Sequence, residues 1–149
     1  MDVAAIALRL ALALAVGAAI GINRDLRRKP AGVRTHSLVS IGAALVVMAA
    51  LAMPGATPET VSRVVQGLIQ GIMTGISFIG AGVVLRDVRS RTVEGLTTAS
   101  TVWVAAALGI ACGLGAWTVI VTGTILALVF LVLFEWFETK FGIGKSKKE

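Results

Sequence analysis

The chain has 149 residues, 56% hydrophobic and only 15% charged, with a formal net charge of +6 and a single cysteine. This leaves almost no material for a soluble domain: the longest candidate extramembrane segment is the 15-residue tail from Glu135. The positive charge does not indicate nucleic acid, because twelve of the 14 Lys and Arg sit in short loops beside apolar stretches, where such cations set topology and meet anionic headgroups at about 1 kcal/mol each.

Five apolar stretches run at roughly 3–22, 36–53, 61–85, 97–113 and 117–134. Each approaches the ~20 residues that cross a hydrocarbon core of ~30 Å. The expected fold is therefore all-α: a polytopic five-helix transmembrane domain over 1–141 with a short basic cytoplasmic tail at 142–149. Arg24, Arg27, Arg28, Lys29 and Arg34 follow the first stretch, Arg86, Arg89 and Arg91 the third, and Lys140, Lys145, Lys147 and Lys148 the fifth. The linkers 54–60 and 114–116 carry no positive charge. Positive residues are retained on the cytoplasmic side, so the N-terminus is expected outside and the C-terminus inside.

The first stretch opens with an acid, Asp2, and has no basic n-region, so it reads as a retained helix rather than a signal peptide. Arg9 lies about 10 Å below its outer end. It either snorkels outward or serves as an interhelix partner or as part of an outward-facing polar pocket. Pro30 and Gly32 make the following loop a compact turn. Helix two is expected from His36 to about Met53. Pro54-Gly55 and Pro58 mark the next loop, with Thr57 and Pro58 placed to start helix three.

In helix three, Arg63, Gln66, Gln70, Thr74 and Ser77 are spaced 3, 4, 4 and 3, which puts them on one narrow polar stripe. Gly67, Gly71 and Gly75 run beside it, a small-residue pattern that lets another helix approach closely. The stripe is either a packed interface bridged by amides or the lining of a solute or proton path. It holds no acid, which weighs against a carboxylate relay. Gly80 and Gly82 fall in a run, Ser77 to Gly82, expected to end the helix in backbone that is either irregular or thinly covered. Thr97 and Thr98 are expected caps for helix four, whose Thr101, Ala105, Gly109 and Gly113 form a second close-packing face. Residues 96–134 carry no charge. Thirty-nine residues would span ~58 Å as one helix, so Gly113-Leu114-Gly115 is the expected break of a helical hairpin. Helix five lacks a polar stripe and reads as a lipid-facing wall. Phe134, Trp136, Phe137 and Phe141 form an aromatic belt at one end, and Trp117 anchors the other.

The residues able to do chemistry gather at the inner surface. Asp25 lies among Arg24, Arg27, Arg28 and Arg34, while Asp87 and Glu94 lie among Arg86, Arg89 and Arg91. They read either as an ion-pair cluster tying two loops together or as a polar site for a cation, an anion or a protein partner. Asp25, Asp87 and Glu94 could supply Mg²⁺ ligands, since that ion needs one or two carboxylates plus water, although the arginines compete for the same oxygens. His36 reads as a satisfied interfacial polar residue and Cys112 as packing. CxxC, HExxH and GxxxxGK(S/T) motifs are absent, and no nucleophile sits with a base. No resident cofactor and no enzymatic activity are expected.

Arg24-Asp25-Leu26-Arg27, Lys29-Pro30-Ala31-Gly32-Val33-Arg34-Thr35-His36, Gly71, Phe78-Ile79-Gly80-Ala81-Gly82-Val83, Val93-Glu94-Gly95-Leu96-Thr97-Thr98-Ala99 and Trp103 occur in that order. The set, over about residues 8–116, resembles the MgtC/SapB membrane protein family. AGxRT alone is weak; AGxRT, FxGAG and GLTTA in order are specific. The resemblance implies a bacterial inner-membrane protein of five helices, linked to growth in low magnesium and to virulence. Its best-known member acts as a regulator that inhibits the F-type ATP synthase rather than as a transporter. By motif, the family's functional residues would be Arg24, Asp25, Arg34, Thr35, Glu94, Thr97 and Cys112.

Two positions depart from the family pattern. Asn23 stands where the family has an acid, which weakens any cation site relying on it, and Ser77 stands where it has glycine. Many members carry a C-terminal soluble domain, so the chain reads as a short form. Two functions are expected on this basis. One is a regulator packing its small-residue faces against a membrane partner such as ATP synthase. The other is a homo-oligomeric magnesium or proton transporter or channel. The glycine faces favour a homodimer or other homo-oligomer on either view, with membrane lipids as the remaining partners.

Overall fold

A computed structural model describes residues 2–87 and 92–141, excepting the side chains of 85–87, 92–94, 135, 138–139 and 141. Five helices follow in order: α1 (Val3–Leu26), α2 (Val33–Leu51), α3 (Pro58–Val83), α4 (Leu96–Leu114) and α5 (Trp117–Phe141). All five contain segments long and apolar enough to cross a membrane. Between α3 and α4, β1 (Leu85–Asp87) pairs antiparallel with β2 (Thr92–Glu94), Arg86 opposite Val93.

Helix α4 is the hub and packs against α1, α2, α3 and α5. The main core joins Ala13, Val16 and Ile20 of α1, Ala44 of α2, Ala105, Leu108, Ala111 and Cys112 of α4, and Ile120 and Leu131 of α5. Cys112 is fully buried there. Small residues set the interhelix distance. At Gly109, a Cβ would come within 2.8 Å of the Ser40 Cα, so α2 and α4 meet backbone to backbone. Helix α5 is mostly outward-facing, with Val121, Ile125, Leu126, Phe130 and Leu133 exposed. Near its end, the Lys140 Nζ sits 4.5 Å over the Trp136 ring.

The helix ends differ from the sequence expectation for identifiable reasons. Helix α1 continues past residue 22 to Leu26 because its last carbonyls are capped: Arg28 N donates to Asp25 O and Lys29 N to Arg24 O, both at 3.0 Å. Arg28 takes the left-handed conformation there, φ 52°, a position usually held by glycine. Helix α2 starts at Val33 rather than His36, because Val33 N donates to Asp25 Oδ2 at 3.0 Å. Helix α3 begins as expected: Thr57 Oγ1 accepts from Thr60 N at 3.2 Å, with Pro58 in the first turn. It runs on as regular helix through the glycines to Val83, with Ser77, Phe78, Ile79, Ala81 and Gly82 exposed, so the run is thinly covered and not irregular. Thr97 and Thr98 do not cap α4. Gly95 does, at φ 88°, with the Val83 carbonyl where its Cβ would be. Helix α5 runs through the aromatic belt to Phe141 rather than stopping at 134.

Candidate functional site

One end of the bundle gathers the buried polar side chains. Arg24 is 3% exposed, and Thr98 and Thr101 are likewise buried. Arg24 Nη2 donates to Thr98 Oγ1 at 2.5 Å, joining α1 to α4. The only histidine, His36, is fully buried. Its Nδ1 lies 2.9 Å from Gly32 O and its Nε2 3.0 Å from Thr101 Oγ1. A carbonyl only accepts, so Nδ1 carries a proton and donates to Gly32 O. The Thr101 hydroxyl also lies 2.9 Å from Thr98 O. With one proton, it donates either to a neutral Nε2 or to that carbonyl. The set Arg24–Thr98–Thr101–His36–Gly32 thus fastens the α1–α2 turn to the start of α4.

The turn itself is closed by Asp25. One carboxylate oxygen caps α2 on Val33 N, where a negative charge also suits the helix dipole. The other fills the space that a Cβ on Gly32 would need. Ala31, like Arg28, is left-handed, φ 56°. The AGxRT motif is therefore the geometry of this turn.

The remaining sequence candidates divide. Asn23 is half-buried, its Oδ1 without a hydrogen-bond partner among the described residues. Arg34 and Thr97 are exposed and Thr35 is half-exposed. The side chains of Arg86, Asp87 and Glu94 lie outside the described residues, and with them the expected pairing of the two loops. Among the described residues, no three of His, Cys, Asp and Glu come together as a metal site. His36 is a satisfied polar residue, as expected, yet it belongs to a network with Thr98 and Thr101 that the sequence reading had not assembled. Their partners lie 74 and 65 positions away along the chain. Ser40 was also missed: it is fully buried on α2, with its hydroxyl unpartnered among the described residues.

At the opposite end, Arg9 is an interhelix partner rather than a snorkelling side chain. Its Nη1 donates to Gly113 O at 2.7 Å, placing a cation at the C-terminus of α4.

The expected polar stripe of α3, Arg63, Gln66, Gln70, Thr74 and Ser77, is exposed along its length. Thr74 and Ser77 donate back to Gln70 O and Met73 O at 2.9 and 2.8 Å. Of the expected packing glycines, Gly67, Gly71, Gly75 and Gly82 have, among the described residues, no atom of another element within 4 Å of a Cβ position. Gly80 faces Ala99 at 3.4 Å. The glycines that do touch helices inside the chain include Gly17, Gly109 and Gly113.

Five membrane-length helices joined by buried polar contacts define a multi-pass helical membrane protein. A profile of the MgtC family matches residues 10–140. The chain is 41% identical over 134 residues to SrpB of Synechococcus elongatus, covering 85% of this chain and 73% of SrpB. It is 36% identical over 128 residues to MgtC of Salmonella typhimurium, covering 86% of this chain and 52% of MgtC. It is also 36% identical over 137 residues to YhiD of Escherichia coli, whose name proposes a magnesium transporter, covering 86% of this chain and 60% of YhiD. The chain thus spans about half to three quarters of these relatives. No solved structure matches it. The chain belongs to the MgtC family.

Proposed function

We propose that this chain is a bacterial inner-membrane regulator of magnesium homeostasis that acts by packing the outer face of α3 against a helix of another membrane protein. An F-type ATP synthase is the partner implied by the family resemblance. The carrying observation is the state of α3: a glycine row with open space beyond it, beside glutamines that face outward at membrane depth. Small residues admit a second backbone and amides hydrogen-bond across helices. The charge pattern supports an N-terminus outside and a C-terminus inside. Gly71→Leu fills the row without touching the bundle. It abolishes co-purification of the membrane partner while insertion and helix content persist; unchanged co-purification refutes the proposal.

The same stripe favours a second reading, in which copies assemble around Gln66, Gln70 and Thr74 and conduct Mg²⁺ or protons. Flux into proteoliposomes then depends on Gln70 and on Asp25, the described member of the candidate Mg²⁺ ligands Asp25, Asp87 and Glu94. Well-formed proteoliposomes without flux remove this reading.

A further inference from the structure

The turn between α1 and α2 keeps an arginine where folding alone would favour glycine. Arg28 is left-handed at φ 52°, a conformation that disfavours residues with a Cβ. Unfavourable backbone held at an exposed turn points to a use for the side chain. Arg28 is exposed, as are Lys29 and Arg34. None of these three side chains makes a hydrogen bond or ion pair among the described residues. The scaffold beneath them is fixed. Arg28 N donates to Asp25 O, and Asp25 Oδ2 accepts from Val33 N. Both ends of the turn are thus tied to one residue, and three like charges are held on a closed loop.

Beside the cations the surface turns apolar. On α2, Arg34, Leu38 and Leu45 fall within an arc of about 40° at 100° per residue, and all three are exposed. The helix rises ~16 Å from Arg34 to Leu45, about half a hydrocarbon core. On α1, Ile22 and Leu26 are exposed one turn apart and lead up to the turn. Cations above an apolar strip one leaflet deep match the shape of a phospholipid, with its phosphate at the surface and its acyl chain beneath.

We infer that the α1–α2 turn is a seat for an anionic phospholipid, with Arg28, Lys29 and Arg34 around the headgroup phosphate and the strip from Leu38 to Leu45 along an acyl chain. The two guanidinium forks suit phosphate oxygens, and Lys29 adds a compact point charge. A zwitterionic headgroup is disfavoured, because its own cation meets the same three charges. A basic loop that only attracts an anionic surface needs charge at no particular position; the seat needs these positions. It lies away from the outer face of α3 and does not depend on the partner proposed for that face.

Native mass spectrometry of the full chain in detergent tests this, with phosphatidylglycerol and phosphatidylcholine of the same acyl chains as the probes. Arg28→Gly removes the cation and relieves the backbone, so lost binding is not lost folding. Lys29→Gln repeats the test with the left-handed residue unchanged. Each is expected to weaken phosphatidylglycerol binding about fivefold, the weight of one juxtamembrane cation. Phosphatidylcholine is expected to bind about tenfold more weakly from the start and to be unaffected by either substitution. Lys140→Gln deletes the same charge from the end of α5, which as the fifth crossing reaches the same membrane surface. It is expected to change binding less than about twofold. A loss with Lys140→Gln equal to that with Arg28→Gly means diffuse attraction and overturns the inference, as does equal binding of the two lipids. Displacement of the lipid by millimolar inorganic phosphate at constant ionic strength assigns the turn to free phosphate and also overturns it; retention of the lipid upholds it.

Discussion

Thr97 and Thr98 are adjacent and chemically identical, yet the structure separates them. Thr98 is buried and accepts from the Arg24 guanidinium at 2.5 Å; Thr97 is exposed and makes no hydrogen bond among the described residues. Thr→Val keeps the branched shape and deletes the hydroxyl. At Thr98, it removes the acceptor of a charge-assisted bond, worth about 1.5–3 kcal/mol. Because the donor is a buried cation with little water to replace the lost oxygen, the cost belongs toward the upper part of that range. At Thr97, an exposed substitution stays within about 0.5 kcal/mol. The predicted difference is about 2 kcal/mol, a factor of roughly 30 in the folded-to-unfolded ratio. Reversible unfolding in mixed SDS and maltoside micelles, followed by circular dichroism, measures it. A double-mutant cycle with Arg24→Met isolates the pair: Thr98→Val on that background should lose most of its effect. If Thr97→Val costs as much as Thr98→Val, or if the two effects at 24 and 98 simply add, the network described here does not hold the bundle together.

Two further substitutions test the helix packing and the turn. Arg28→Gly should stabilise the protein by about 0.5 kcal/mol, since relief of the left-handed backbone, about 1 kcal/mol or more, exceeds the added freedom of the unfolded chain; a lower unfolding midpoint contradicts the turn geometry. Gly109→Ala should destabilise by about 1–3 kcal/mol, because the new methyl meets the Ser40 backbone, whereas Gly42→Ala, with open space around it, should gain up to about 1 kcal/mol from helix propensity. The same unfolding assay decides the sign at each position.

Several features were legible because their causes are local. Thr57 and Pro58 start α3 as their chemistry dictates, Gly115 ends α4 in the left-handed conformation, and the aromatic residues lie at the end of α5. Others were misread because the deciding atom came from elsewhere. Thr97 and Thr98 are good cap residues, but the carbonyl of Val83 excludes any side chain from the cap position, so Gly95 takes it. Asp25 also accepts from an amide of the next helix, a contact made by an atom eight positions further along the chain. Two small-residue rows with the same spacing fared differently. That of α4 is buried against α2, while the 67–71–75 row of α3 faces outward, a distinction that spacing cannot make.

Length, hydropathy and charge placement by themselves determined that the chain is a five-helix membrane protein, and its ordered motifs pointed to the family. These properties follow from the transfer of each segment into lipid, which is settled segment by segment. The tertiary structure alone decided which polar groups are shared between helices: Arg24 with Thr98, His36 with Thr101, Arg9 with Gly113. Those partners lie 65 to 104 positions apart along the chain. Which side chains meet depends on how the helices are rotated against one another, and that rotation is set by all the packed contacts at once rather than by any one helix.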